Sequence, residues 1–173
     1  MSGSGTKPPR RSGGGAKPQG RPRTGARLAA VQALFQSEQN AEPAEAVIAQ
    51  FVRHRLGTVP GEGGLEEGRV PEADVPLFTT LVRGVATHAE ELDGLVSPSL
   101  ARDWPLEKLD PVLRALLRCA ALELWQSKEP PARVVINEYL DVAHGFFGAE
   151  TSRFANGVMD ALARHLRAPE FSR

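Results

Sequence analysis

The sequence predicts an all-α fold, a compact bundle of six or seven helices. Three observations carry that reading. Apolar residues recur with a period of about 3.6 through most of the chain after residue 24. No series of segments alternates with a period of two, so a sheet would have no strands to pair. Helix stops and starts, among them Pro43, Pro71, Asp110-Pro111, Pro130-Pro131 and Gly148, fall between the apolar stripes.

The first element is not a helix. Residues 1–24 are mostly Gly, Pro, Ser and basic side chains, with Met1 the only large apolar one. Such a segment buries too little surface to offset its ordering entropy and is expected to be a disordered tail when free. Through Arg27 the chain carries seven basic residues (Lys7, Arg10, Arg11, Lys17, Arg21, Arg23, Arg27) and no acidic one. The whole chain is neutral, so the remainder is net acidic by seven charges. A basic arm on an acidic body suggests a polyanionic partner; a solubilising or self-associating tail is the alternative.

The helices follow in order. Leu28, Val31, Leu34 and Phe35 mark the first, from about Gly25 to Gln39. Val47, Ile48, Phe51, Val52 and Leu56 mark the second, with Pro43 near its first turn and an end near Gly57. A Gly- and Glu-rich loop without apolar period runs to about Val70. Pro71 opens a segment whose stripe, Leu77, Phe78, Leu81, Val82, Val85, Ala89 and Leu92, is the strongest in the chain. A short helix follows Ser97-Pro98, and the chain turns at Trp104-Pro105. Asp110 and Pro111 read as N-cap and first helical residue of a helix reaching about Ser127. Val135, Ile136, Tyr139, Leu140, Ala143 and Phe146 build the next, with Gly148 as its stop. The last starts near Thr151 or Ser152 and carries Phe154, Val158, Met159, Leu162 and Leu166. Val134-Val135-Ile136 has strand character and Asn156-Gly157 hairpin character, but the residues around both keep helical spacing.

Composition narrows the function. The chain has 173 residues, 41% apolar and 24% charged, in keeping with one soluble domain. Without the tails about 145 residues remain, enough for a substantial core. Cys119 is the single cysteine, so neither an intrachain disulfide nor a zinc–thiolate cluster is available and a reducing, cytoplasmic setting is expected. No apolar run is long enough to span a bilayer. No two of His54, His88, His144 and His165 stand four apart, and no phosphate-binding or nucleophile-elbow motif occurs. The pairs Glu66-Glu67 and Glu90-Glu91 are adjacent and diverge on a helix, as solvated faces do. Cys119 beside an apolar stripe reads as a buried thiol. No enzyme, metal or cofactor is expected.

What remains is the junction of tail and first helix. Arg21, Arg23 and Arg27 lead into a helix N-terminus, where cationic side chains, backbone N–H groups and the positive dipole end all suit phosphate. Aromatic residues are only 6%, so charge and polar contacts should outweigh base stacking.

Several blocks resemble the NusB family: ARLAAVQALFQSE (26–38), FTTLVRGVATHAEELDGLV (78–96), LRCAALELW (117–125), VVINEYLDVAHGFFGAE (134–150) and SRFANGVMD (152–160). The resemblance covers about residues 23–166. It implies a NusB-like bundle of about seven helices in two small halves, over residues 25–168, with 169–173 a short C-terminal tail. It implies binding to the boxA element of nascent ribosomal RNA, a heterodimer with NusE, a small-subunit ribosomal protein, and action within an RNA polymerase antitermination complex, without catalysis. A homodimer of the free protein stays open. By the same resemblance Arg21, Arg23, Arg27, Gln32, Arg153 and Phe154 fall at the RNA, although Phe154 also fits core packing. Phe35, Glu107 and Leu113 fall at the NusE face, although Phe35 also fits the core. The chain departs from the family pattern at Leu28, where an acidic residue is common, at Phe35, which lacks a tyrosine hydroxyl, and at Leu113, where a charge can stand. Asn137-Glu138, polar within an apolar stretch, suits a buried network joining the halves, or a contact to RNA or partner. NusB-like domains also occur fused to ribosomal RNA cytosine methyltransferases, and a truncated enzyme of that kind is the alternative.

Overall fold

The structure, a computed structural model, describes residues 21–56 and 73–172. Within them lie seven α-helices: α1 (Arg21–Asn40), α2 (Ala44–His54), α3 (Val75–Thr87), α4 (Ala89–Val96), α5 (Pro111–Gln126), α6 (Ala132–Phe146) and α7 (Ala149–Leu166). Short 3-10 turns occupy Ser97–Ser99, Leu106–Lys108 and Ala168–Glu170, and no strand occurs among the described residues. The tail expectation for residues 1–20 and the Gly- and Glu-rich loop at 57–72 lie outside the described residues.

Local chemistry sets the helix starts. Asp74 accepts the Leu77 N–H at 3.0 Å with Pro76 in the first turn of α3. Asp110 accepts the Val112 and Leu113 N–H groups at 2.8 and 3.3 Å, with Pro111 behind it, as the sequence predicts. Val134-Val135-Ile136 and Asn156-Gly157 both sit inside helices, α6 and α7.

Four boundaries differ from the sequence reading. The helix α1 begins at Arg21 and takes in residues 21–24, which the tail was expected to include. Those residues have no large apolar side chain, so hydrophobic periodicity is blind to them; tertiary hydrogen bonds hold them instead. The stripe from Leu77 to Leu92 is divided at His88, which leaves helical geometry (φ −112°, ψ 27°) and turns the chain from α3 into α4. Gly148 is the N-cap of α7, whose start is accordingly earlier than Thr151. Residues 168–170 form a turn that belongs to the body, not to a tail. Glu170 accepts the Ala132 N–H at the start of α6 at 3.0 Å. The ring of Phe171 lies 5.2 Å and 4.9 Å from the guanidinium carbons of Arg133 and Arg164.

The core is organised about α5, eleven of whose sixteen residues are buried. A helix that is buried nearly all round needs cover on every side. The helices α1, α2 and α3 pack together on one side; α6 and α7 pack together on the other, and α4 packs on α5 and α7. Of these, α5 touches α1, α3, α4, α6 and α7, so the two halves share it. Small residues bring the helices close. Ala26, Ala29, Ala30 and Ala33 line the buried side of α1. Gly84 of α3 faces Leu122 of α5, where a Cβ would stand 2.7 Å from a leucine methyl. Phe51 and Phe78 stack at 5.6 Å between α2 and α3.

Candidate nucleic-acid interface

The first turns of α1 are where sequence and structure part. Arg23 is exposed. Arg27, one turn further on, is 2% exposed. Both line a groove of 370 Å³ with Asp74, Leu77, Leu122 and Glu129, Arg23 at the surface and Arg27 at the base. Arg27 Nε and Nη2 donate to the two carboxylate oxygens of Glu123 at 2.9 and 2.8 Å. Its Nη1 lies 3.4 Å from Glu138 Oε2, which also accepts the Thr24 hydroxyl at 2.8 Å. The Tyr139 hydroxyl donates to Glu123 Oε2 at 2.5 Å, and the Arg27 guanidinium stands 5.9 Å from the Tyr139 ring centre. One polar network therefore joins α1, α5 and α6 through the core.

The electrostatics follow from that geometry. Burial alone would lower the Arg27 pKa, but the hydrogen bonds and charge of Glu123 outweigh it and hold the guanidinium above its ordinary value. Burial pushes the Tyr139 phenol well up, and the Glu123 carboxylate adds to the shift. The Cys119 thiol rises for the same two reasons. It is fully buried and unreactive, as the sequence suggests.

Arg27 is consequently buried and paired rather than displayed at the surface, where an assignment to RNA would place it. A bidentate carboxylate pair uses its donor fork, and the protein covers it. The side chain of Arg21 lies outside the described residues. Gln32 and Phe35, both half-buried, share a second groove of 380 Å³ with Gln36, Arg55, Val112 and Phe146. The expected RNA residue and the expected partner residue thus meet in one place. Arg153 is exposed on the first turns of α7, while neighbouring Phe154 is half-buried and packs against the core.

Of the remaining partner-face residues, Glu107 is exposed on the 3-10 turn before α5. Leu113 is 4% exposed and belongs to the core rather than to the exposed surface. The Asp110 cap sets the register of α5 so that position 113 points inward. Asn137 is exposed, which corrects its placement in a buried network, while its neighbour Glu138 does join one.

Sequence reasoning missed three arginines. Arg114 donates to the Leu106 and Leu109 carbonyls at 3.3 and 3.2 Å and pairs with Glu38. Arg118 pairs with Asp93 at 2.7 and 2.9 Å. Together they pin the turn bearing Glu107 to the end of α1 and to α4. Arg167 is 5% exposed and donates to the carbonyls of Glu123, Leu124, Lys128 and Pro130. Their partners lie from 3 to 76 residues away, so no local pattern announces most of them. Among the described residues no group of three or more His, Cys, Asp or Glu is placed to hold a metal ion, and no helix is long and apolar enough to cross a membrane.

The model of the NusB family matches residues 24–164. The chain is 58% identical to a transcription antitermination protein NusB of Granulibacter bethesdensis, over 88% of this chain and 93% of that protein. It is 48% identical to the protein of that name in Gluconobacter oxydans, over 86% and 91%. Among solved structures it is similar to a NusB of T. maritima (TM-score 0.68, 29% identity, 87% of this chain and 96% of that one). The NusB chain in a crystal structure of antitermination factors NusB and NusE with double-stranded RNA shares the fold (TM-score 0.65, 23% identity, 84% and 98%).

Proposed function

The chain belongs to the NusB family, and from that premise we propose that it is a non-enzymatic, RNA-binding transcription antitermination factor. The supporting observation is the relation to antitermination proteins along nearly the whole length of both chains. In this reading it binds the boxA element of nascent ribosomal RNA as a heterodimer with NusE and acts in the cytoplasm within an RNA polymerase antitermination complex. A homodimer is the resting form to look for when NusE is absent. The methyltransferase alternative gains no support, since the relatives named for antitermination are themselves matched over nine-tenths of their length.

The geometry suggests a division of labour. Arg23 and Arg21 at the head of α1, with Arg153 at the head of α7, supply charge near helix N-termini, where anions are favoured. Gln32 supplies a polar contact, and the exposed part of Phe154 a stacking edge. Phe35 and Glu107 offer NusE an aromatic and an acidic contact. Because Gln32 and Phe35 line the same groove, RNA and NusE are expected to meet there and to reinforce one another.

Labelled boxA RNA titrated with the protein, with NusE and with both tests this directly. A gain in affinity with both over either alone supports the heterodimer. If NusE brings no gain, the partner assignment is wrong.

A further inference from the structure

We infer that Arg27 and Glu123, acting through Glu138 and Thr24, form an internal buttress that positions the first turn of α1 so that Arg23 is held ready for phosphate; the inference rests on the RNA-binding reading above. None of the three buttressing residues behind Thr24 touches the RNA. Their effect passes to Arg23 through the backbone.

The first turn of α1 is weak on its own account. Gly25 follows soon after it, and no acidic residue in it offsets the helix dipole. Glycine costs about 1 kcal/mol against alanine within a helix. Arg23 places positive charge at the positive end of the dipole, where it is unfavourable without an anion. Yet the helix forms there. Among the described residues, three contacts from other elements hold it. The Asp74 N–H donates to the Pro22 carbonyl at 2.8 Å. Thr24 donates to Glu138 at 2.8 Å. Arg27 is clamped by Glu123 on α5 and faces Glu138 on α6. Glu138 is the pivot, because the same oxygen receives Thr24 and faces Arg27. A cation on a turn already fixed spends no backbone ordering entropy when RNA arrives, whereas one on a loose arm must.

The test uses the full chain and boxA RNA over a series of salt concentrations, with five proteins: wild type, Thr24→Val, Thr24→Ser, Arg23→Gln and the Thr24→Val/Arg23→Gln double variant. Arg23→Gln should lower the log–log salt slope by about 0.7, the share of one phosphate contact on a single strand. Thr24→Val keeps the shape of the side chain but loses its donor. It should weaken binding by about two- to tenfold and lose part of that same slope. The double variant should bind no more weakly than Arg23→Gln alone, because the two changes act on one contact. Thr24→Ser restores a hydroxyl and should restore the slope, which a general loss of stability would not do. Wild-type binding with Thr24→Val unchanged, or a fully additive double variant, overturns the buttress alone. A wild-type protein that binds no RNA overturns the functional reading and the buttress with it.

Discussion

Of the three arginines buried among the described residues, Arg27, Arg114 and Arg167, the first and last differ in what neutralises them. Arg27 meets carboxylates: Glu123 in a bidentate pair and Glu138 beyond it. Arg167 meets mainly carbonyls. Its Nε and Nη2 take the Leu124 and Glu123 carbonyls at 3.1 and 2.9 Å, and its Nη1 takes that of Pro130 at 2.7 Å. Among the described residues only Glu170, at 3.2 Å, gives Arg167 a side-chain anion. The difference separates two tasks. An arginine aimed at carbonyls fills the orphan acceptors at a helix C-terminus and closes the loop after it. An arginine aimed at carboxylates on two helices fixes the mutual placement of three elements, because each partner comes from a different one. Glu123 serves both: its side chain holds Arg27 and its main chain holds Arg167.

The contrast can be broken most forcefully at Arg27. Arg27→Met leaves Glu123 charged, buried and short of its main partner, and should cost about 3–5 kcal/mol in denaturant unfolding. Adding Glu123→Leu removes the stranded charge and should recover most of that loss. If the pair of changes is no better than the single one, the cost lies in packing and not in charge. Arg167→Met should cost less, about 2–3 kcal/mol, because the carbonyls it abandons lie partly within reach of water. No second substitution should rescue it, since the acceptors are main chain.

Acid and alkali should sharpen the same contrast in one experiment, a melting temperature followed across pH. The Glu170 carboxyl is held below its usual range by the Ala132 N–H and then by Arg167. A lowered folded value gives stability that is present above the ordinary carboxylate range and is lost as pH falls through the folded value. Glu170→Gln should therefore flatten the acid limb slightly. The Tyr139 phenol is raised by burial and by Glu123. Its contribution is complete below its ordinary value of 10.0 and is lost as pH rises beyond it. Tyr139 is the chain's single tyrosine, so tyrosinate absorbance reports that limb without ambiguity. Tyrosinate appearing at the ordinary value in folded protein would show that the Arg27 network is open to solvent.

Much of this architecture was legible in the chain. The Asp110-Pro111 start of α5 and the helical reading of Val134-Val135-Ile136 follow from rules that act within a few residues, and the structure obeys them. Arg27 was legible as a residue of interest but not as an interior one. It stands one turn from exposed Arg23 on the same side of α1, and only the presence of α5 and α6 beside it distinguishes the two. The burial of Leu113 was hidden for a related reason: a resemblance assigns a position to a face, whereas the cap fixes its direction. The clamps of Arg114, Arg118 and Arg167 were invisible because most of their acceptors are backbone carbonyls or distant carboxylates, which leave no periodicity in sequence.

The separation of Arg27 from its partner has a consequence for biogenesis. Glu123 follows it by 96 residues, and Glu138 comes later still. A ribosome adding about 5–20 residues per second needs roughly 5–20 s to bridge that interval. During it, the leading helix emerges with an unmatched cation and with its opening turn unsupported. That turn therefore matures only after α6 has been made, and the youngest chains should be the poorest at gripping RNA.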